Sequence, residues 1–159
     1  MFLFAFTFSF IKILLTFPVS VEGPSMIPTL YDGDTFFASM YEARFSNIDR
    51  GVVVVFGDDY LYVKRVIGVP GDRVVLKDGG VEVNGEFFYE PYARGKTLVD
   101  SFVDPVLSAD VSGIVYNVPL DSYFVLGDNR ENSVDSRNFV STFVKRSEIL
   151  GVFVQNILL

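Results

Sequence analysis

The chain has 159 residues, enough for one domain or one domain with an anchor, and half of them are hydrophobic, enough for a sizeable core. Its formal charge of −7 argues against nucleic acid as a partner, since such partners are met by a basic face. It has no cysteine and no histidine, which removes disulfides, thiolate nucleophiles, Cys- and His-based metal sites and any Ser-His-Asp or Cys-His arrangement within the chain.

Met1 to Val21 is the most apolar stretch, with Lys12 its only charged side chain. Three readings compete. A cleaved signal peptide wants a basic segment before the apolar run, and none precedes it. Phe2, Phe4, Phe6, Phe8 and Phe10 alternate with period two, a strand pattern. A membrane helix over residues 1–20 would measure roughly 30 Å, about one bilayer core, with Lys12 as its cost. The expectation is a single N-terminal transmembrane helix. Charge alone leaves its orientation open.

Next comes Val21-Glu22-Gly23-Pro24-Ser25-Met26-Ile27-Pro28-Thr29-Leu30, then Gly33-Asp34. Pro24 and Pro28 restrict φ and remove two backbone donors, and they push Gly23 and Ile27 toward extended geometry. Ser25 thus sits on stiff, non-helical backbone. That suits a nucleophile, whose attacking atom must be held in place; it equally suits a proline-bearing turn. With no histidine, the base for such a serine would be lysine, a carboxylate or the N-terminal amine.

Beyond Pro18, short runs of Val, Ile, Phe and Tyr alternate with Gly, Asp, Asn and Pro. The pattern predicts strands near Thr35–Met40, Val52–Phe56, Leu61–Val69, Arg73–Lys77, Val81–Val83, Ile114–Val118, Tyr123–Leu126 and Leu150–Asn156. Asp78-Gly79-Gly80 and Asn84-Gly85 signal hairpin turns. Short helical turns are expected only around Tyr41–Ile48 and Lys145–Ile149. Many short strands imply an all-β domain over 21–159, with antiparallel sheets in a barrel- or sandwich-like arrangement. Residues around 78–118 read as a small insertion, with Tyr89–Ser112 the least patterned part.

Two further clusters could do chemistry. Strand alternation puts Lys64 on the face of Tyr62 and Val66, opposite Val63 and Arg65. Such a lysine either snorkels to water or is desolvated. An unperturbed lysine has a pKa of about 10.4, and lowering it to about 7 takes roughly 4 to 5 kcal/mol, which burial can supply. A basic Lys64 should therefore be buried near Ser25 Oγ with no carboxylate ion pair. Gly127-Asp128-Asn129-Arg130-Glu131-Asn132-Ser133-Val134-Asp135-Ser136-Arg137 follows an apolar strand. It could form a network of charge-assisted hydrogen bonds, or simply a solvated turn.

In this order, these clusters resemble type I signal peptidases, the membrane-anchored serine–lysine peptidases. The resemblance rests on Gly23 to Leu30 with Gly33-Asp34, on Arg50-Gly51, on Tyr62 to Asp72 including Pro70-Gly71-Asp72, and on Gly127 to Arg137. It implies an all-β fold behind a membrane helix, with the site on the extracytoplasmic side of the cell membrane. It implies Ser25 as nucleophile, Lys64 as general base, Ser133 as the hydroxyl that orients the lysine, and Asp128, Asp135 and Arg137 as braces. Met26, Leu30, Tyr62 and Val63 flank the pair and are candidates to line small apolar substrate pockets. The expected partners are secretory precursors, cut after small residues, and the lipid bilayer; no metal or cofactor is expected. Some family members carry a serine two residues before the nucleophile as an oxyanion donor; here that position is Gly23. Rival readings are a membrane-tethered β-domain without catalysis, a self-cleaving repressor-type serine–lysine domain, and a carboxylate-pair hydrolase using Asp128 and Asp135.

Overall fold

A computed structural model describes residues 15–98 and 113–154. Eleven strands in these residues form two antiparallel sheets: β1 (Thr16–Ser20), β2 (Thr35–Ser39), β3 (Val53–Gly57), β4 (Leu61–Gly68), β5 (Arg73–Lys77), β6 (Gly80–Val83), β7 (Glu86–Phe87), β8 (Ile114–Asn117), β9 (Ser122–Leu126), β10 (Val144–Lys145) and β11 (Ile149–Val154). The larger sheet runs β1-β2-β11-β3-β4-β9-β10 and the smaller β7-β6-β5-β8. Among the described residues the α-helical part is short: α1 (Met40–Phe45) follows β2, with the Ser39 hydroxyl capping it by accepting from Glu42 N, and single 3-10 turns lie at Arg130–Asn132 and Arg146–Glu148. The all-β expectation holds.

The central strand explains the layering. In β3, Val53, Val54, Val55 and Phe56 are all buried. Their side chains alternate faces. Val54 and Phe56 join a core with Val66, Tyr123, Val125 and Ile149. Val53 and Val55 join a second core with Val19, Val21, Met26, Leu30, Phe36 and Ala38. A third core, with Ile67, Val74, Leu76, Phe124 and Leu126, lies between the two sheets. Arg50 and Asp72 tie the turn before β3 to the turn before β5, with Arg50 Nε 2.7 Å from Asp72 Oδ2.

The sequence expectation for the N-terminus needs correcting. Thr16–Ser20, placed in a membrane helix by the sequence reading, is an edge strand paired antiparallel with β2 from Thr16↔Ser39 to Ser20↔Thr35. Pro18 accounts for this: it breaks helix interiors, and an edge strand tolerates its missing N–H. Val19 is buried in the core while Pro18 and Ser20 are exposed, which is strand alternation. The rest of the anchor expectation, residues 1–14, lies outside the described residues, and no helix among the described residues is long and apolar enough to cross a membrane. The strands β7 and β10 were not anticipated. The insertion around 78–118 contributes three strands of the smaller sheet, β6, β7 and β8, which build on β5, and Tyr89–Leu98 packs against the loop after β9; its remainder, 99–112, is outside the described residues.

Gly68 sits on β4 where the pairing with β9 shifts register. A Cβ there would stand 2.6 Å from Val74 Cγ2 and 2.9 Å from Val118 Cγ2. Both methyls belong to packed β-branched residues, which cannot swing away. Gly68→Ala is expected to destabilise the fold by about 1–3 kcal/mol. The check is a lower urea midpoint at unchanged slope; an unmoved midpoint would contradict the close approach of the sheets.

Candidate active site

Ser25 lies on the turn that follows β1. Its backbone is fixed from several sides. Val21 N donates to Asp34 O at 2.8 Å and Gly33 N to Val21 O at 2.9 Å, closing the loop at its base. Gly23 has a φ of 82°, in the left-handed region, and its N–H donates to Asp32 Oδ1 at 2.8 Å. Within the turn, Leu30 N donates to Met26 O at 2.9 Å.

Lys64 comes from the middle of β4, where it pairs with Val54. Its side chain is buried, at 4% exposure. Its Nζ is 2.8 Å from Ser25 Oγ and 2.9 Å from Val63 O. Burial lowers its pKa from the ordinary 10.5 to about 8, against the opposing pull of Asp135 and then Asp128. Among the described residues no carboxylate forms an ion pair with it. The sheet thus joins two groups thirty-nine residues apart in sequence.

The two nearby acids are each held by an arginine. Arg65 grips Asp128 bidentately, with Nε to Oδ1 at 2.8 Å and Nη2 to Oδ2 at 2.5 Å. Thr29 Oγ1 also donates to Asp128, and the Tyr92 ring covers Arg65 at 3.9 Å. Arg137 Nε lies 2.8 Å from Asp135 Oδ1, and Gly127 N donates to Asp135 Oδ2 at 2.9 Å. Asp128 and Asp135 are fully buried. Each acid is thus engaged by an arginine and by at least one further donor.

Ser133 departs from expectation. Its Oγ is buried and has no hydrogen-bond partner. The orienting bond to Lys64 implied by the resemblance is not made; the Val63 carbonyl, one residue back along β4, accepts from the amine instead. Ser133 does lie at the site. A Cβ on Gly127 would stand 2.1 Å from Ser133 Oγ and 2.6 Å from Ser25 O. Gly127 is therefore a site residue that the sequence reading gave no role: its missing side chain lets three segments converge.

A cleft of roughly 740 Å³ opens on the pair. Met26, Tyr62 and Val63 line it, as do Ser20, Glu22, Asn132 and Val134. Leu30 does not: it is buried in the core with Val21 and Phe36. The turn, closed by the Leu30 N–H on Met26 O, directs the Leu30 side chain into that core. Tyr62 stacks on Phe56 at 5.7 Å.

The comparisons with known proteins agree with one another. The family model described as signal peptidase, peptidase S26, matches residues 1–157. A signal peptidase I of Bacillus amyloliquefaciens is 41% identical over 146 residues, spanning 86% of this chain and 73% of that protein. Signal peptidase I S of Bacillus subtilis is 42% identical over 131 residues, spanning 81% and 70%. Signal peptidase IB of Staphylococcus aureus is 40% identical over 161 residues, spanning 92% and 81%. The crystal structure of a signal peptidase I from Enterococcus faecalis superposes with a TM-score of 0.50 at 29% identity, covering 68% of this chain and 97% of that one.

Two outcomes follow from the geometry. Gly127→Ala is expected to abolish turnover, because its methyl overlaps Ser133 and the carbonyl of Ser25; a variant with wild-type rate would contradict the close approach. Lys64→Met is expected to stabilise the fold at pH 7. Below pH about 8 the ammonium is buried in the folded chain and hydrated in the unfolded one, a penalty of about 3 kcal/mol. Between about 8 and 10.5 only the unfolded chain keeps the proton, so wild-type stability rises with pH and the gain from Met fades. Paired thermal melts at pH 7 and pH 10.5 check this, and an equal difference at both would refute it.

Proposed function

The chain belongs to the signal peptidase family, peptidase S26, and removes signal peptides from precursor proteins; we propose that it does so with Ser25 as the nucleophile and Lys64 as the general base. The observation that carries this reading is the 2.8 Å approach of Lys64 Nζ to Ser25 Oγ, with the amine desolvated and, among the described residues, not ion-paired to a carboxylate.

Neutral Lys64 takes the proton from Ser25 Oγ as the oxygen attacks the scissile carbonyl carbon. The tetrahedral intermediate collapses when the C–N bond breaks, and the Lys64 ammonium returns the proton to the departing amine. An ester on Ser25 remains. Lys64, neutral again, takes a proton from a water that attacks this ester; that proton passes to Ser25 Oγ as the C–O bond breaks, and the signal peptide leaves as a carboxylic acid that gives its proton to solvent. The Ser25 N–H supports the oxyanion at both tetrahedral stages, a contribution of about 3–4 kcal/mol for one such donor. The carbonyl of Val63 holds the amine toward the serine.

The cleft suits an extended chain. The segment 18–26 lines one part of it and 59–64 another, so a substrate in strand form would find backbone groups alongside. Met26, Tyr62 and Val63 give the cleft an apolar lining near the pair, as small residues before the cleavage point require. The membrane location is supported by the apolar sequence of residues 1–14. It is also supported by Phe37, Met40, Phe45 and Leu150, which are exposed on β2, α1 and β11.

With a secretory precursor in membranes, Ser25→Ala and Lys64→Ala should each abolish processing that the wild type performs. Two variants as active as wild type would overturn the pair; an inert wild type would favour a tethered binding domain. The rate should climb about tenfold per pH unit in acid and level off near pH 8, since only the neutral amine accepts the proton. A flat profile from pH 5 to 9 would exclude a lysine base.

A further inference from the structure

Resting on the reading of Ser25 as nucleophile, we infer that Asn129 is a positioning residue that aims the Ser25 N–H at the oxyanion, and that the strap Glu90–Thr97 locks Asn129 in place. Asn129 touches the nucleophile turn twice. Its backbone N–H donates to Ser25 O at 3.0 Å, and its side-chain Nδ2 donates to Pro24 O at 3.1 Å. The second bond is the informative one. Pro24 O and Ser25 N belong to the same peptide unit, which is planar and trans, so its C=O and N–H point in opposite directions. Holding the carbonyl toward Asn129 fixes the N–H on the other side. Among the described residues that N–H donates to no acceptor, as an oxyanion donor must.

Asn129 is itself clamped. Arg94 N donates to Asp128 O at 2.7 Å and Arg130 N to Arg94 O at 2.9 Å, so one residue of the strap brackets Asn129 from both sides. Arg130, 2% exposed, is gripped by Glu90 and Thr97 from the same strap. Asn132 Nδ2 donates to Asn129 Oδ1 at 3.2 Å, which leaves Nδ2 as the group facing Pro24. An isolated strap would satisfy its own polar groups; this one directs four of them at the residues flanking Asn129.

The test compares the full-length wild type with Asn129→Asp, which keeps size and the backbone bonds but replaces the donor with an acceptor. A signal-peptide substrate and a peptide aldehyde, which forms a tetrahedral adduct on a serine hydroxyl, are the probes. The expected result is a kcat lower by about 10- to 100-fold with KM within about twofold, because the donor acts on the transition state. Aldehyde affinity should fall in the same proportion, and in the uncharged variant Asn129→Ala the pH midpoint of the rate should stay at the wild-type value because Lys64 and the charges around it are untouched. Asn129→Ala, which adds no charge, should repeat this pattern and decides the question if the aspartate variant does not fold. A folded variant with kcat within twofold of wild type, or one whose aldehyde affinity is unchanged, overturns the inference. Wild-type activity in Ser25→Ala would instead overturn the reading on which it rests.

Discussion

Everything at this site depends on keeping a lysine buried next to two buried carboxylates without letting it pair with either. Opposite charges in a low-dielectric interior attract strongly, and an Asp–Lys pair here would hold the amine protonated. The fold prevents this by saturating each acid first. Arg65 takes both oxygens of Asp128, and Arg137 takes both of Asp135. Arginine suits this task because its planar fork matches a carboxylate and it does not lose its proton. What reaches Lys64 from the acids is a residual pull, smaller than the effect of burial, and the amine titrates near 8.

The same ion pairs also hold the architecture together, so charge control and geometry cannot be separated. Arg65 bridges β4 to the loop after β9 and also donates to Gly51 O at 2.7 Å and to Thr29 Oγ1 at 3.0 Å. One guanidinium thus joins the strand that carries Lys64, the turn before β3 and the turn that carries Ser25. Removing Asp128 would strand that charge in the interior, a change that typically costs 3–5 kcal/mol. The stability at stake is comparable to half of a small domain's total. A desolvated lysine is itself destabilising, and these braces offset it at the place where it arises.

How much of this was legible in the sequence depends on whether the signal was local. Lys64 within an apolar strand and Ser25 between two prolines were visible because each is set by its neighbours, and β3 by the five consecutive apolar residues Val52–Phe56. The β1 strand was hidden because its apolar residues continue the run of the preceding segment; only Pro18 spoke against a helix. The strap Glu90–Thr97 has no periodicity, since its role is carried by single side chains meeting Arg130 and Arg65 over some forty and twenty-seven residues of sequence. Ser133 was readable as a site residue but not in its partners. Its neighbours are Gly127 and Ser25, and the amine it was expected to orient is held by a backbone carbonyl. No pattern of residue types encodes that choice, because every residue offers a carbonyl.

Gly23 sharpens the demand on the backbone around the nucleophile. It has no side chain to offer the oxyanion, and its own N–H is taken by Asp32. Stabilisation of the developing charge therefore falls more heavily on the amide of Ser25. A hydrogen bond loses strength steeply when misaligned, and an oxyanion donor works by being aligned before the charge appears. A stiff turn alone does not fix the tilt of one peptide plane: the prolines restrain φ at residues 24 and 28, whereas the plane between Pro24 and Ser25 also turns on ψ of Pro24 and φ of Ser25. The carboxamide of Asn129 acts on that remaining freedom, and it reaches across from the loop that also carries the acids. On the proposed reading, the two acids beside the base and the asparagine behind the donor belong to one segment, 127–137, which Arg65 of β4 and the strap brace against the serine turn.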